Sequence, residues 1–159
     1  MSEKASILRE YAEYIFDSLQ ESAKGLTDKE ASWRPTEQSN SIEWTLNHMA
    51  RLGNVSLPRI IRGDPNYMPA DWPQDYKDCH YPVEKLMGDI AMGKEAVLAE
   101  MCNLSDKQLE EEIPLWGGRR KRKIGLFAYL GELIHHRGQI AYLRGTIKRL
   151  REKDPKFLC

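Results

Sequence analysis

The sequence lacks several things, and each absence removes a class of function. No apolar run approaches the roughly 18 residues that a membrane-spanning helix requires, so the 159-residue chain is not read as a membrane protein. Neither sign of charge is in excess: 24 Lys and Arg stand against 24 Asp and Glu, so global charge selects no partner. There are only three cysteines, Cys79, Cys102 and Cys159, with no C-x-x-C pair among them. An odd, scattered set of thiols does not make a disulfide framework. The opening "MSEKASILRE" carries charge where a secretory signal would have its apolar core. A reduced, cytoplasmic protein is expected. Convincing strand alternation is missing as well, apart from a short extended piece over Ile113 to Trp116.

What is present is helical period. Ile7, Leu8, Tyr11, Tyr14, Ile15 and Leu19 recur at helical spacing over about Glu3 to Lys24, and Gly25 is a natural stop. Asn40 or Ser41 can cap a second helix, with Glu43 placed to favour its dipole. Its apolar stripe runs Ile42, Leu46, Met49, Gly53, Leu57 and Ile60, and Pro58 should kink or shorten it because proline removes a donor and crowds the preceding turn. Pro82 opens a third helix to about Asn103, and a fourth spans about Lys123 to Arg151. Between the second and third lies "GDPNYMPADWPQDYKDCHY", a loop long enough to suggest a lid or binding loop. These elements predict one domain over residues 1–159, all-α, built as an antiparallel four-helix bundle.

Chemistry concentrates in the last helix, in "YLGELIHHRGQIAYLRG". Gly131, Gly138 and Gly145 recur every seven positions, within about 40° of one another on the helix. Each glycine weakens a helix by about 1 kcal/mol relative to alanine, so an aligned set predicts a backbone held close to a neighbour. A second stripe carries Glu132, His136, Gln139 and Leu143. Glu132 and His136, four apart, project side by side and can chelate one cation, whereas His135 points about 100° away from His136. A lone helical histidine is ordinarily structural, and a pair binds weakly, so a third ligand is needed. His48, in "SIEWTLNHMAR", lies at the edge of the second helix's apolar stripe beside Trp44 and is the best candidate. His80, in the long loop, is read as surface. Glu132-Leu-Ile-His135 fits the Glu-x-x-His of di-iron bundles, but that architecture requires a second copy. The chain has none, so a mononuclear site fits better.

The segments "HHRGQI" and "LTDKEASWRPTEQSNSIEWTLNHMARLG" resemble the DinB-like superfamily over most of the chain and in the family's order of elements. The resemblance implies a four-helix bundle holding a divalent metal, usually through three histidines, one from the second helix and two from the last. His48 and His136 match two of those ligands; the third falls on Glu132, where the family most often has histidine. Two imidazoles and a carboxylate still form a sound set, as in His-His-Glu zinc hydrolases or the facial triad of iron. Zinc, nickel, iron or manganese would each serve. Relatives of this type imply a transferase that joins a low-molecular-weight thiol to a small electrophile, working as a homodimer. Trp44, Trp72, Arg119 and Gln139 are the candidate substrate contacts, with Gln139 also placed to support the metal ligands and Arg137 read as a structural or helix-contact residue.

The run "RRKRK", Arg119 to Lys123, crowds positive charge onto a helix N-terminus, where the dipole prefers anions. A bound acidic cosubstrate would relieve it. Nucleic acid could use the same patch, but "LEEEIP" sits just upstream and the chain is neutral, so that reading is disfavoured. A metal-dependent hydrolase and a non-catalytic metal-binding or dimerisation bundle are the remaining alternatives.

Overall fold

The structure, a computed structural model, describes residues 2–158. Cys159, one of the three thiols, lies outside the described residues; Cys79 and Cys102 are free. Helix α1 is Glu3–Ala23, capped by the Ser2 hydroxyl. The short α2, Asp28–Ser32, is closed by a reciprocal capping box between Thr27 and Glu30. Next come α3, Ile42–Arg51, capped by Ser41, and α4, Leu57–Arg62, ended by Gly63 in the left-handed conformation. Helix α5 is Val83–Met101; α6, Asp106–Glu110, has its own capping box from Ser105 and Gln108. Strands β1, Glu112–Leu115, and β2, Gly118–Lys121, lead into α7, Arg122–Lys153.

Pro58 does not break the second long helix. Residues Leu52–Ser56 widen into a π-helical turn, where the Leu57 N–H bonds to the Leu52 carbonyl. That shift in register lets α3 run into α4 as one rod, with Pro58 in the first turn of α4, where its missing N–H costs little.

Four long rods form the four-helix bundle expected from the sequence, with two of its neighbouring pairs parallel rather than antiparallel, and cross-links fix their directions. Asp17 pairs with Lys94 and Asp28 caps Val83, so α1 and α5 are antiparallel. Arg122 reaches the Ile60 carbonyl and His48 reaches Glu132, so α3–α4 runs antiparallel to α7. Arg144 meets the Ser22 carbonyl and Arg151 meets Glu30, so α1 and α7 are parallel neighbours. Asn54 bonds to the Asp89 carbonyl and Arg62 to Glu100, so α3–α4 and α5 are parallel too. The order is therefore up-down-down-up. Parallel neighbours cannot be joined by a tight turn, which accounts for the long segment 63–82.

That segment is strapped down rather than left as a lid. The Asn47 amide donates to the carbonyls of Tyr76 (2.9 Å) and Cys79 (3.3 Å). Tyr76 is buried, and its hydroxyl donates to Asp89 at 2.5 Å; Lys85 bonds to both Asp89 oxygens. Burial, with Asp89 next, pushes the Tyr76 phenol far above its ordinary range, so it stays a donor.

The core is a continuous cluster that includes Ile15, Phe16 and Leu19 from α1, Leu46 and Met49 from α3, Leu86 and Ile90 from α5, and Leu126, Leu130 and Leu133 from α7. Each such side chain contributes about 1.5–3 kcal/mol on burial. The sequence expectation for the glycine stripe does not hold within the chain. A Cβ at Gly131 or Gly138 would meet nothing within 4 Å, and at Gly145 only the Arg149 side chain. The close approach occurs instead between Gly53 and Gly93, where a Cβ on Gly93 would lie 2.9 Å from the Gly53 carbonyl carbon. Gly93→Ala is expected to destabilise the protein by about 2 kcal/mol through overpacking against backbone. Gly131→Ala should be neutral, or stabilising by up to about 1 kcal/mol. Urea denaturation of the two variants checks the contrast.

Candidate metal centre

Helix α7 presents Glu132 and His136 one turn apart, and the antiparallel α3 carries His48 against them. The His48 Nε2–H donates to Glu132 Oε1 at 2.8 Å, and His136 Nε2 lies 3.7 Å from the same oxygen. One ligand atom from each of the three residues falls within 4.8 Å of the others. Zinc held at 2.0–2.2 Å by tetrahedral ligands sets them about 3.4 Å apart, so small side-chain rotations close the set around an ion. Two neutral nitrogens and one carboxylate suit a divalent metal. The residues fit the group the sequence implies.

The surroundings hold the two rings differently. Trp44 stacks on His48 with centroids 5.5 Å apart and meets His136 edge-on at 6.4 Å, giving the trio an aromatic wall. His136 is buried, and its Nδ1–H donates to Gln139 Oε1 at 2.8 Å. That bond leaves the His136 Nε2 lone pair facing Glu132, the tautomer a ligand needs. The Gln139 amide then donates to His135 Nε2 at 3.0 Å. His48 has the opposite polarity. Arg51, a donor only, meets His48 Nδ1 at 3.3 Å, so the ring proton sits on Nε2 and is shared with Glu132. Ligation through that nitrogen requires the proton to leave or to move to Nδ1, as metal binding to imidazole generally does. Burial pushes the His48 imidazole below its ordinary value, and His136 adds to that, against the pull of Glu132.

Gln139 thus joins the ligands directly, and Trp44 walls them. Beside them an open groove of about 640 Å³ runs past His135, Gln139 and Tyr142 to the loop at Pro35 and Asn40. Trp72 stands apart: it stacks on Tyr76 at 4.4 Å and lines a smaller groove of about 200 Å³, which approaches the trio through Arg51. Arg119 is not brought to the trio. It lies on β2, donates to the Glu112 carbonyl at 2.6 Å, and sits at the start of α7, about 15 Å along the axis from Glu132. His80 pairs with Glu43 at the surface, as expected for a residue outside the site. The buried Arg137 Nε has no hydrogen-bond partner among the described residues.

The basic run is neutralised from within. Its expected anion pocket is taken by the acidic segment just upstream. Lys121 and Lys123 both pair with Glu110, Arg119 with Glu112, and the buried Arg122 with Glu111, the Gln108 carbonyl and the Ile60 carbonyl. Lys123 first and then Lys121 hold the Glu110 carboxyl down at about 2. The hairpin makes this possible: Trp116 and Gly117 both have positive φ, 52° and 72°, the two-residue turn that matches strand twist. It folds Glu112 back onto Lys121.

Arg51 and Asn47 were not singled out by sequence, yet one sets the His48 tautomer and the other ties the long segment to the same helix. Their signal is spacing, since both flank His48 on α3 four residues apart.

A four-helix bundle with a histidine–carboxylate trio seated between antiparallel rods defines a class of metal-binding helical proteins. The sequence profile of the DinB superfamily matches residues 13–140, and the chain belongs to that family. Among solved structures, a DinB-like protein of Bacillus subtilis is similar at a TM-score of 0.67 and 20% identity, covering 87% of this chain and 91% of its own. A conserved protein from Enterococcus faecalis is similar at 0.68 and 17% identity, with 91% and 96% covered. No curated protein matches the chain. No helix among the described residues is long and apolar enough to cross a membrane.

Replacing Gln139 with Ala should weaken zinc binding about 10–100-fold, because the His136 tautomer is no longer fixed. The helical circular-dichroism signal should be unchanged. Chelator competition measures the affinity.

Proposed function

We propose that the chain, as one domain over residues 1–159, is a divalent-metal-dependent transferase that joins a low-molecular-weight thiol to a small electrophile. The observation that carries this reading is the convergence of His48, Glu132 and His136 within 4.8 Å. Three protein ligands leave coordination positions open, the arrangement of catalytic rather than structural sites. A divalent ion held there, whether zinc, nickel, iron or manganese, would lower the pKa of a bound thiol or water. Glu132 in place of a third imidazole reduces the charge of the complex, so a bound water would be less acidic than at a three-histidine site. That favours a substrate that is already a good nucleophile, such as a thiol.

The chain's own groups have separable tasks. Gln139 orients His136, and Trp44 covers one side of the rings and keeps water from them. The groove past Gln139 and Tyr142 is the natural approach for a small substrate. The acting protein would be a cytoplasmic homodimer. A second reading is a bundle that binds metal without turnover, and a hydrolase would use the same donor set. Nucleic acid is disfavoured by the internal pairing of Lys121, Arg122 and Lys123.

Plasma mass spectrometry of the purified protein should find near one equivalent of metal per chain. His48→Ala, Glu132→Ala and His136→Ala should each lose it. Conjugation of a thiol panel with small electrophiles should be abolished by chelation and restored by reloading. Absence of metal after reloading would sink this reading, whereas metal without turnover would favour the non-catalytic bundle.

A further inference from the structure

The basic run is neutralised by its own acidic neighbours, but three other cations that share one concavity are not. Arg51 at the end of α3, Arg59 in α4 and Lys77 in the segment 63–82 line the groove of about 200 Å³ beside Trp72. None of the residues lining that groove is acidic, and none of the three cations has an ion pair among the described residues. Asp78 attracts Arg51 through space, but it opens on the neighbouring cleft with Arg34 and His80. The two guanidinium groups are held from behind. Arg51 Nε–H donates to Asn47 Oδ1 at 3.2 Å, and Arg59 Nε–H donates to the Tyr67 carbonyl at 2.7 Å. Those bonds fix the forks and leave terminal nitrogens for another acceptor: both on Arg59, and on Arg51 the one that does not meet His48. Guanidinium forks of this kind match carboxylate and phosphate oxygens. Trp72, stacked on Tyr76, supplies a flat apolar wall for the rest of a ligand.

We infer that this groove binds the acid group, carboxylate or phosphate, of a small substrate whose reacting end lies at the metal ligands. Its volume falls below the roughly 300–1,000 Å³ of pockets that enclose a whole drug-sized ligand. It therefore takes the end of a molecule and not all of it. Arg51 joins the two regions, since it lines the groove and meets His48 Nδ1 at 3.3 Å. The larger groove differs in kind: no Lys, Arg, Asp or Glu lines it, so it suits an uncharged reactant. The two grooves reach the trio from different histidines, one through Arg51 and His48, the other through Gln139 and His136. A transfer between two substrates needs two such approaches, and their charge assigns the acidic reactant to the Arg51 side. That the anion is a reactant rests on the transferase proposed above; that it binds in the groove does not.

Titration of the purified protein with succinate and with inorganic phosphate tests it, at an ionic strength held constant so that screening does not change. The arginine Nε–Hε resonances are followed by nuclear magnetic resonance. Those of Arg51 and Arg59 should shift along one binding curve, in metal-loaded and chelator-treated protein alike. The anion that binds more tightly names the class of acid. Arg51 is left intact because it positions His48. Arg59→Gln should weaken binding at least about 10-fold, through loss of a charged hydrogen bond. Lys77→Gln, exposed and screened, should weaken it about threefold. Arg120→Gln is the control, an exposed cation on β2 bonded only to the Arg119 carbonyl, and should change nothing. Circular dichroism should be the same for all. Resonances of Arg51 and Arg59 that neither anion moves overturn the proposal. So does binding that Arg120→Gln weakens as much as Arg59→Gln, or binding confined to the metal-loaded protein, which would place the anion on the ion. Anion binding that persists in a protein without metal or turnover would strike the transferase and leave the groove standing.

Discussion

The register of one helical seam governs this protein. Rod α3–α4 lies antiparallel to α7, and it is pinned at both ends. At one end the buried Arg122 guanidinium donates to the Ile60 carbonyl; at the other His48 meets Glu132. A slip of one turn, about 5.4 Å, would carry His48 past its partner and leave a buried guanidinium without acceptors. Buried donors are rarely left unpaired because each costs about 1–3 kcal/mol. The Arg122 bond at the start of α7 therefore also sets where His48, Glu132 and His136 meet. Structure at the start of α7 and chemistry in its middle are coupled through a rigid rod.

The other constraint is topological. Two parallel pairs of neighbours force the chain to travel the length of the bundle between α4 and α5, and to cross its end between α5 and α7. Each crossing is stabilised locally. The first is held by Asn47 and by the Tyr76–Asp89 bond, the second by α6 and the β-hairpin with its ring of Glu–Lys and Glu–Arg pairs. Neither crossing is a free loop. Gly53 and Gly93 allow the parallel rods to touch backbone to backbone, and the π turn beside them keeps the helix continuous into Pro58.

Within the trio, polarity is asymmetric. His136 is already in a ligand's tautomer because Gln139 accepts its Nδ1 proton, whereas Arg51 holds the His48 proton on the nitrogen that faces the site. Family membership accounts for the bundle. The carboxylate at 132 is joined to the pair by its short bond to His48.

Much of this was legible from residue order. Apolar spacing located the four rods to within a few residues, Gly25 marked an end, Asn40 or Ser41 a start, and the four-residue spacing of Glu132 and His136 with His48 named the trio. The capping boxes "TDKE" and "SDKQ" and the turn "WGG" were passed over in the sequence, because the small elements they mark are too short to carry a helical period. What the sequence could not decide are questions of direction and partner. Periodicity gives the face of a helix but not which rod runs beside it, so the parallel pairs and the long crossing appear only in three dimensions. The basic run reads as an open site until the hairpin folds Glu110, Glu111 and Glu112 back onto it. The glycine stripe reads as buried until the tertiary structure turns it outward. Local sequence sets what each segment can form; only packing decides which of its polar groups are already satisfied, and the unsatisfied remainder is where function resides.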